Sequence, residues 1–219
     1  MSHTSTNGYL LEGLATIRNE PVQARSTARL AALLDAAAAA VDEHGFERLT
    51  TAMIAERAAA SIGTVYRYFP DRIAVLHALA ARNFDRVSER VRAELRNEAH
   101  SDWVDAMTAA FDVFVEAFRD EPGFRSLRVG DVIDLRPRTT QQTYNSRVAE
   151  VMLSVLESRF GLEVTDDARV AFEGAIEVTD ALVARAFAHD DNGDPAFLEL
   201  GRSVVYGLLS EHFGSRQPE

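Results

Sequence analysis

Apolar residues recur at three- and four-residue steps through almost every segment of this chain, and nowhere do they alternate. A spacing near 3.6 puts them on one face of a helix, whereas a half-buried strand needs a spacing of two. The pattern therefore predicts an all-α fold of about nine helices. The first spans about 26–44, with Leu30, Leu33, Leu34, Ala37, Ala40 and Val41 inside and Gly45 ending it. Thr50-Thr51, Ser61 and Asp71 carry side-chain oxygens suited to cap three further helices, two short and one reaching about Arg96. Asp102 starts a helix striped with Trp103, Met107, Phe111, Phe114 and Phe118, which Pro122-Gly123 ends. A short helix ending near Asp134 follows, then helices over about 138–160, from Thr165-Asp166 to His189, and from Asp194-Pro195 to Gly214.

No apolar run is long enough to span a membrane, and the polar start, Met-Ser-His-Thr-Ser-Thr, does not open a secretory signal, so a cytoplasmic protein is expected. The chain has no cysteine, which excludes disulfides, thiolate metal sites and a cysteine nucleophile. The net charge of −11 is unevenly spread. Residues 1–96 hold 12 arginines and 11 acids, and residues 97–219 hold 11 arginines and 23 acids. One end can approach a polyanion while the other is repelled by it. The organisation that follows is an N-terminal arm over 1–24, a small helical domain over 25–72 and a larger one over 73–219.

The informative stretch is FERLTTAMIAERAAASIGTVYRYFPDR, Phe46 to Arg72. Two helices of about eight residues joined by a tight turn form a helix-turn-helix, which presents its second helix to a DNA major groove. Val65 and Phe69, four apart, are expected to pack on Ile54 and the first helix. That leaves Gly63, Thr64, Arg67 and Tyr68 outside with Tyr66 at the edge, a surface suited to phosphates and base edges rather than to a protein core.

Gly45-Phe46, Thr50-Thr51, Ile54-Ala55, Ala58, Ser61, Gly63-Thr64-Val65-Tyr66, Tyr68-Phe69 and Arg72 together resemble the tetracycline-repressor family, over about 26–80. The resemblance implies a DNA-binding transcriptional regulator, most commonly a repressor, with phosphate contacts from Thr51, Ser61, Thr64, Tyr66, Tyr68 and Arg72. Physical chemistry adds close approach at Gly63, a thymine methyl for Ile62, a guanine edge for Arg67, and a helix N-terminus beside Arg72. Arg18, Arg25 and Arg29 are candidates for further contacts. The family usually has glycine in the turn where this chain has Ala59, so a left-handed alanine is expected to be strained there.

The resemblance also implies a homodimer through the last two helices, a palindromic operator and a small-molecule effector. Apolar faces from Phe172 to Phe187 and from Phe197 to Phe213 are wide enough for such pairing, with Gly201 and Gly207 allowing close backbone approach. Trp103, Met107, Phe111, Phe114, Phe118, Tyr144, Met152, Phe172 and Ile176 are the candidate pocket lining, fitting an apolar or aromatic ligand. Glu173, Glu177 and Asp180 fall on one stripe, either solvated or, if inward, selecting a cationic lipophile. No cofactor is implied. An all-α enzyme is the competing class, but the six histidines are scattered and H-E-x-x-H, P-loop and G-x-G-x-x-G signatures are absent.

Overall fold

A computed structural model describes residues 24–129 and 144–214, and the N-terminal arm, Arg18 and the side chains of Arg25 and Tyr144 lie outside what it describes. The described residues form nine α-helices and no strand: α1 Ala24–His44, α2 Thr51–Arg57, α3 Ile62–Tyr68, α4 Arg72–Leu95, α5 Trp103–Asp120, α6 Phe124–Val129, α7 Tyr144–Phe160, α8 Asp166–Phe187 and α9 Pro195–Phe213. A single 3-10 turn, Phe46–Arg48, separates α1 from α2.

The expected caps set the helix starts. Thr50, Ser61, Thr165 and Asp194 each accept a backbone N–H through the side chain, opening α2, α3, α8 and α9. Asp71 accepts from Ala74 N at 2.8 Å and Asp102 from Asp105 N at 2.8 Å, opening α4 and α5. Each bond satisfies an amide that has no partner within its own helix.

The described residues divide into two compact units, one over 24–85 with 121–129 and the other over 86–120 with 144–214. The break falls at Asp85, inside α4, rather than at Arg72. The core explains why: Val75, Leu76 and Leu79 of α4 are buried with Leu33, Ala37 and Val41 of α1. Leu127 of α6 joins the same cluster, so α6 belongs to the N-terminal unit. Its approach is fixed by Asn83, fully buried, which donates to Pro122 O at 2.9 Å, and by Gly123 N, which donates to Asp42 Oδ1 at 3.1 Å.

In the second unit Phe118 stacks on Phe187, ring centres 5.2 Å apart, above a core including Phe172 and Leu209. Arg159 of α7 donates to Leu95 O at 2.5 Å and to His100 O at 2.8 Å, satisfying a carbonyl at the end of α4. His100 Nε2 donates to Glu94 at 2.7 Å. That bond holds the Glu94 carboxyl below its ordinary value, with partial burial opposing and Asn97 assisting. A carboxylate lowered in this way stabilises the fold above the usual carboxylate range and loses its contribution as pH falls through the lowered value. The Glu173–Glu177 stripe faces α7: Ser146 donates to Glu173 and Asn145 to Glu177 at 3.0 Å, so both carboxylates serve packing. Gly201 has a similarly internal role. An added Cβ there would lie 3.2 Å from the Phe111 ring, so this glycine admits α5 within the subunit, whereas Gly207 stands open.

The turn after α2 carries the expected strain. Ala59 has φ 46°, the sole positive-φ non-glycine residue among those described. Ala59 N donates to Glu56 O at 3.1 Å and Ala60 N to Ala55 O at 2.9 Å, the paired bonds of a Schellman ending that glycine normally occupies. Relief of the left-handed penalty in Ala59→Gly, partly offset by a freer unfolded chain, is expected to stabilise by about 1 kcal/mol. Thermal melting should show a rise of roughly 2–4 °C; no rise would mean the alanine is unstrained.

Candidate nucleic-acid interface

The seven residues of α3 make less than two turns, too few to be helical alone. Packing holds them. Val65 and Phe69 are fully buried, together with Ile54 and Leu49 of the preceding turn and helix. The inner face is as expected, with one change. Tyr68 is only 3% exposed, not outside as read from the sequence. Its hydroxyl shares a hydrogen bond with Ser26 Oγ at 3.1 Å and donates to Ser26 O at 3.4 Å, tying α3 to the start of α1. Residues 65, 68 and 69 stand at i, i+3 and i+4, one helical face, so the period itself contained this answer.

Ser61, Ile62, Gly63, Tyr66 and Arg67 are exposed and Thr64 is half-exposed, so α3 presents the polar face expected of it. Its hydroxyls are ordered in pairs. Thr51 Oγ1 of α2 donates to Tyr66 OH at 3.3 Å, and Ser61 Oγ lies 2.9 Å from Thr64 Oγ1 while also capping Thr64 N. Four hydroxyls from both helices of the motif are thus held at one surface. Arg67 stands over the Tyr68 ring, 5.4 Å from its centre, which steers its guanidinium without consuming its donors. Ile62 is 45% exposed and Tyr66 44%.

Gly63 is informative through what it does not touch. A Cβ built there would meet nothing nearer than Ser61 Oγ at 3.8 Å. The chain's own packing therefore gives no reason for glycine inside a helix, where it costs about 1 kcal/mol relative to alanine.

Arg72 is in the first turn of α4 as expected, yet half-buried, and its Nη1 donates to Glu47 O at 2.5 Å. The Asp71 carboxylate already caps that helix, occupying the position expected for a phosphate. Arg72 thus fastens the 3-10 turn to α4. Arg57 is similarly engaged, donating to Glu43 at 2.5 Å across α1 and α2 and, with His44, holding that carboxyl below its ordinary value. Arg29 is exposed on α1.

Among the candidate ligand residues, Trp103, Met107 and Phe111 of α5 line one cavity with Val104, Thr108, Arg202, Val205 and Tyr206. Phe118, Met152 and Phe172 are buried and are not among that lining, nor are the half-buried Phe114 and Ile176. Arg202, Val205 and Tyr206 of α9 carry no sequence signal that pairs them with α5. Among the described residues no three His, Asp or Glu gather as metal ligands, and no helix is long and apolar enough to cross a membrane.

A short helix with a buried inner face and a hydroxyl-rich, glycine-bearing outer face, docked at a tight turn on another, is a DNA-reading helix-turn-helix, and the chain is a DNA-binding transcriptional regulator. Comparison with known proteins agrees at both ends. Residues 33–79 match the model of bacterial regulatory proteins of the tetR family, and residues 101–213 match the tetracyclin repressor-like C-terminal domain. The chain belongs to the tetracycline-repressor family. A TetR-family transcriptional regulator from Streptomyces coelicolor is 33% identical, with a TM-score of 0.67 over 84% of this chain and 99% of that one. The transcriptional regulator BetI of Cronobacter sakazakii is 26% identical over 85% of this chain and 91% of its own length. The transcriptional repressor KstR of Rhodococcus jostii is 40% identical over 58 residues, and there the chain spans only 27% of the relative.

Tyr68→Phe separates the two roles of that hydroxyl. As a structural bond it should cost about 1 kcal/mol, a fall of roughly 2–4 °C in melting temperature. DNA affinity should be unchanged; a phosphate contact would make the variant bind every sequence about tenfold more weakly.

Proposed function

We propose that the chain is a homodimeric repressor of the cytoplasm that sits on a palindromic operator and leaves it when a small apolar or aromatic molecule binds the second unit. The observation carrying the operator reading is the outer face of α3, above all Gly63, whose missing side chain serves no contact of the protein itself. In this reading Thr51, Ser61, Thr64 and Tyr66 fix the motif on phosphates, while Ile62 and Arg67 read a thymine methyl and a guanine edge. Arg72 and Tyr68 act by holding the motif together. The acidic C-terminal residues orient the near-neutral, hydroxyl-bearing end toward the duplex.

The dimer reading is supported by small and apolar groups left outward on the last two helices. On α8 these are Val170, 73% exposed, with Gly174 and Ala181 on the same stripe; on α9 they are Ala196, Leu200, Ser203 and Gly207. A Cβ at Gly174 or Gly207 would meet nothing within 4 Å, so a second backbone has room to approach. A two-fold pair places two copies of α3 on two half-sites. For release, α4 is one uninterrupted helix whose first half belongs to the DNA-reading unit and whose second half belongs to the other, which makes it the natural carrier of an effector's preference for one conformation.

Quantitative binding to the DNA upstream of the chain's own gene, at stated salt, tests the base-reading part. Ile62→Ala should weaken binding by about threefold to fivefold, the value of roughly one buried methyl contact. Replacing operator thymines by deoxyuridine should weaken the wild type similarly, and the two changes together should cost no more than either alone. Fully additive losses would show that Ile62 meets no thymine methyl.

A further inference from the structure

The cavity between α5 and α9 is small, about 30 Å³, close to the room one water needs. Its walls are far more aromatic than a water site requires. Trp103 forms its floor, only 6% exposed, and the ring of Tyr206 lies almost parallel to it, 13° between planes and 6.3 Å between centres. Tyr206 is itself 40% exposed, so one face of its ring is on Trp103 and the rest is in water. Phe213 meets Trp103 edge-on at 5.9 Å. The remaining wall is rigid: Phe111 is held between Gly201, whose absent Cβ lets the helices close, and the Arg202 guanidinium, 4.6 Å from the ring centre. Arg202 is ion-paired with Asp112, so the guanidinium brings no unmatched charge to the cavity.

We propose that this cleft binds a small, uncharged, planar aromatic molecule, which replaces the Tyr206 ring on the face of Trp103. Tyr206 is then a built-in competitor: a surface side chain whose swing into solvent turns a one-water space into a slot for one ring. The class follows from the walls. A flat π-face gains from stacking on indole, which a saturated ring of equal size cannot match. A carboxylate gains little, because the cation at the cleft is already neutralised and a second anion would lie beside Asp112. This deepens the effector reading given above and rests on it for any consequence at the operator; the occupancy of the cleft itself does not.

Trp103 is the protein's only tryptophan, so its fluorescence reports on this cleft alone. The intact protein is titrated with phenol, cyclohexanol and benzoate at neutral pH, excited where phenol is transparent. Phenol should change the Trp103 emission saturably, at concentrations at least about tenfold below those at which cyclohexanol or benzoate acts. Tyr206→Ala should tighten phenol binding by about threefold to tenfold, the range spanned by loss of one competing aromatic pair, and Tyr206→Phe, which keeps the ring, should leave it unchanged. No saturable response to phenol in either wild type or Tyr206→Ala overturns the proposal. So does weaker binding in Tyr206→Ala, or equal potency of cyclohexanol. Operator affinity measured in the same samples separates the two readings: phenol seated on Trp103 with operator binding unmoved upholds the cleft and removes this ligand class from regulation.

Discussion

The burial of three side chains from one face of α3 is the constraint on which the rest of the structure depends. Seven residues cannot pay the nucleation cost of a helix in water, so α3 exists because Val65, Tyr68 and Phe69 are removed from it. Complete burial of Val65 and Phe69 contributes roughly 3–6 kcal/mol before ordering costs. That concentration of apolar area on one side frees the opposite side from packing. Ser61, Ile62, Gly63, Tyr66 and Arg67 are consequently open to solvent.

The same economy recurs through the N-terminal unit. The charged groups around the motif are committed to neighbouring elements: Arg57 to Glu43, Arg72 to the Glu47 carbonyl, Asp71 to the start of α4. These bonds fix the angle at which the motif is held, and the hydroxyls of Thr51, Tyr66, Ser61 and Thr64 are left to meet a partner. Rigidity thus comes from charged groups, and the hydroxyls stay with Arg67 on the open face, in a chain whose overall charge is −11.

Much of this was legible in the residues because it is local. A cap needs an oxygen two or three residues before an amide, and Thr50, Ser61, Thr165 and Asp194 supplied it. The strained turn was legible because Ala59 stands where a left-handed residue must close α2. Tyr68 was misread because a tyrosine has a polar tip, although its i+3 relation to Val65 placed it inside. Contacts distant in sequence left no such trace. Backbone carbonyls carry no side-chain signature, so nothing announced Arg159 on Leu95 O or Arg72 on Glu47 O. The docking of α6 in the N-terminal core depends on Leu127, Gly123 and Asn83 meeting helices tens of residues away. Likewise the α5 stripe was visible, but not that α9 supplies its opposite wall.

Gly63→Ala, measured for both thermal stability and operator affinity, tests the central claim most directly. The added methyl lies in open space on the protein side, so the melting temperature should stay level or rise by roughly 2–4 °C, as for removal of a helical glycine. Operator binding should fall by about tenfold or more, because the methyl stands where the duplex must come closest. Affinity preserved in a stable variant would show that α3 does not lie against DNA at this residue, and the account of the interface would fail.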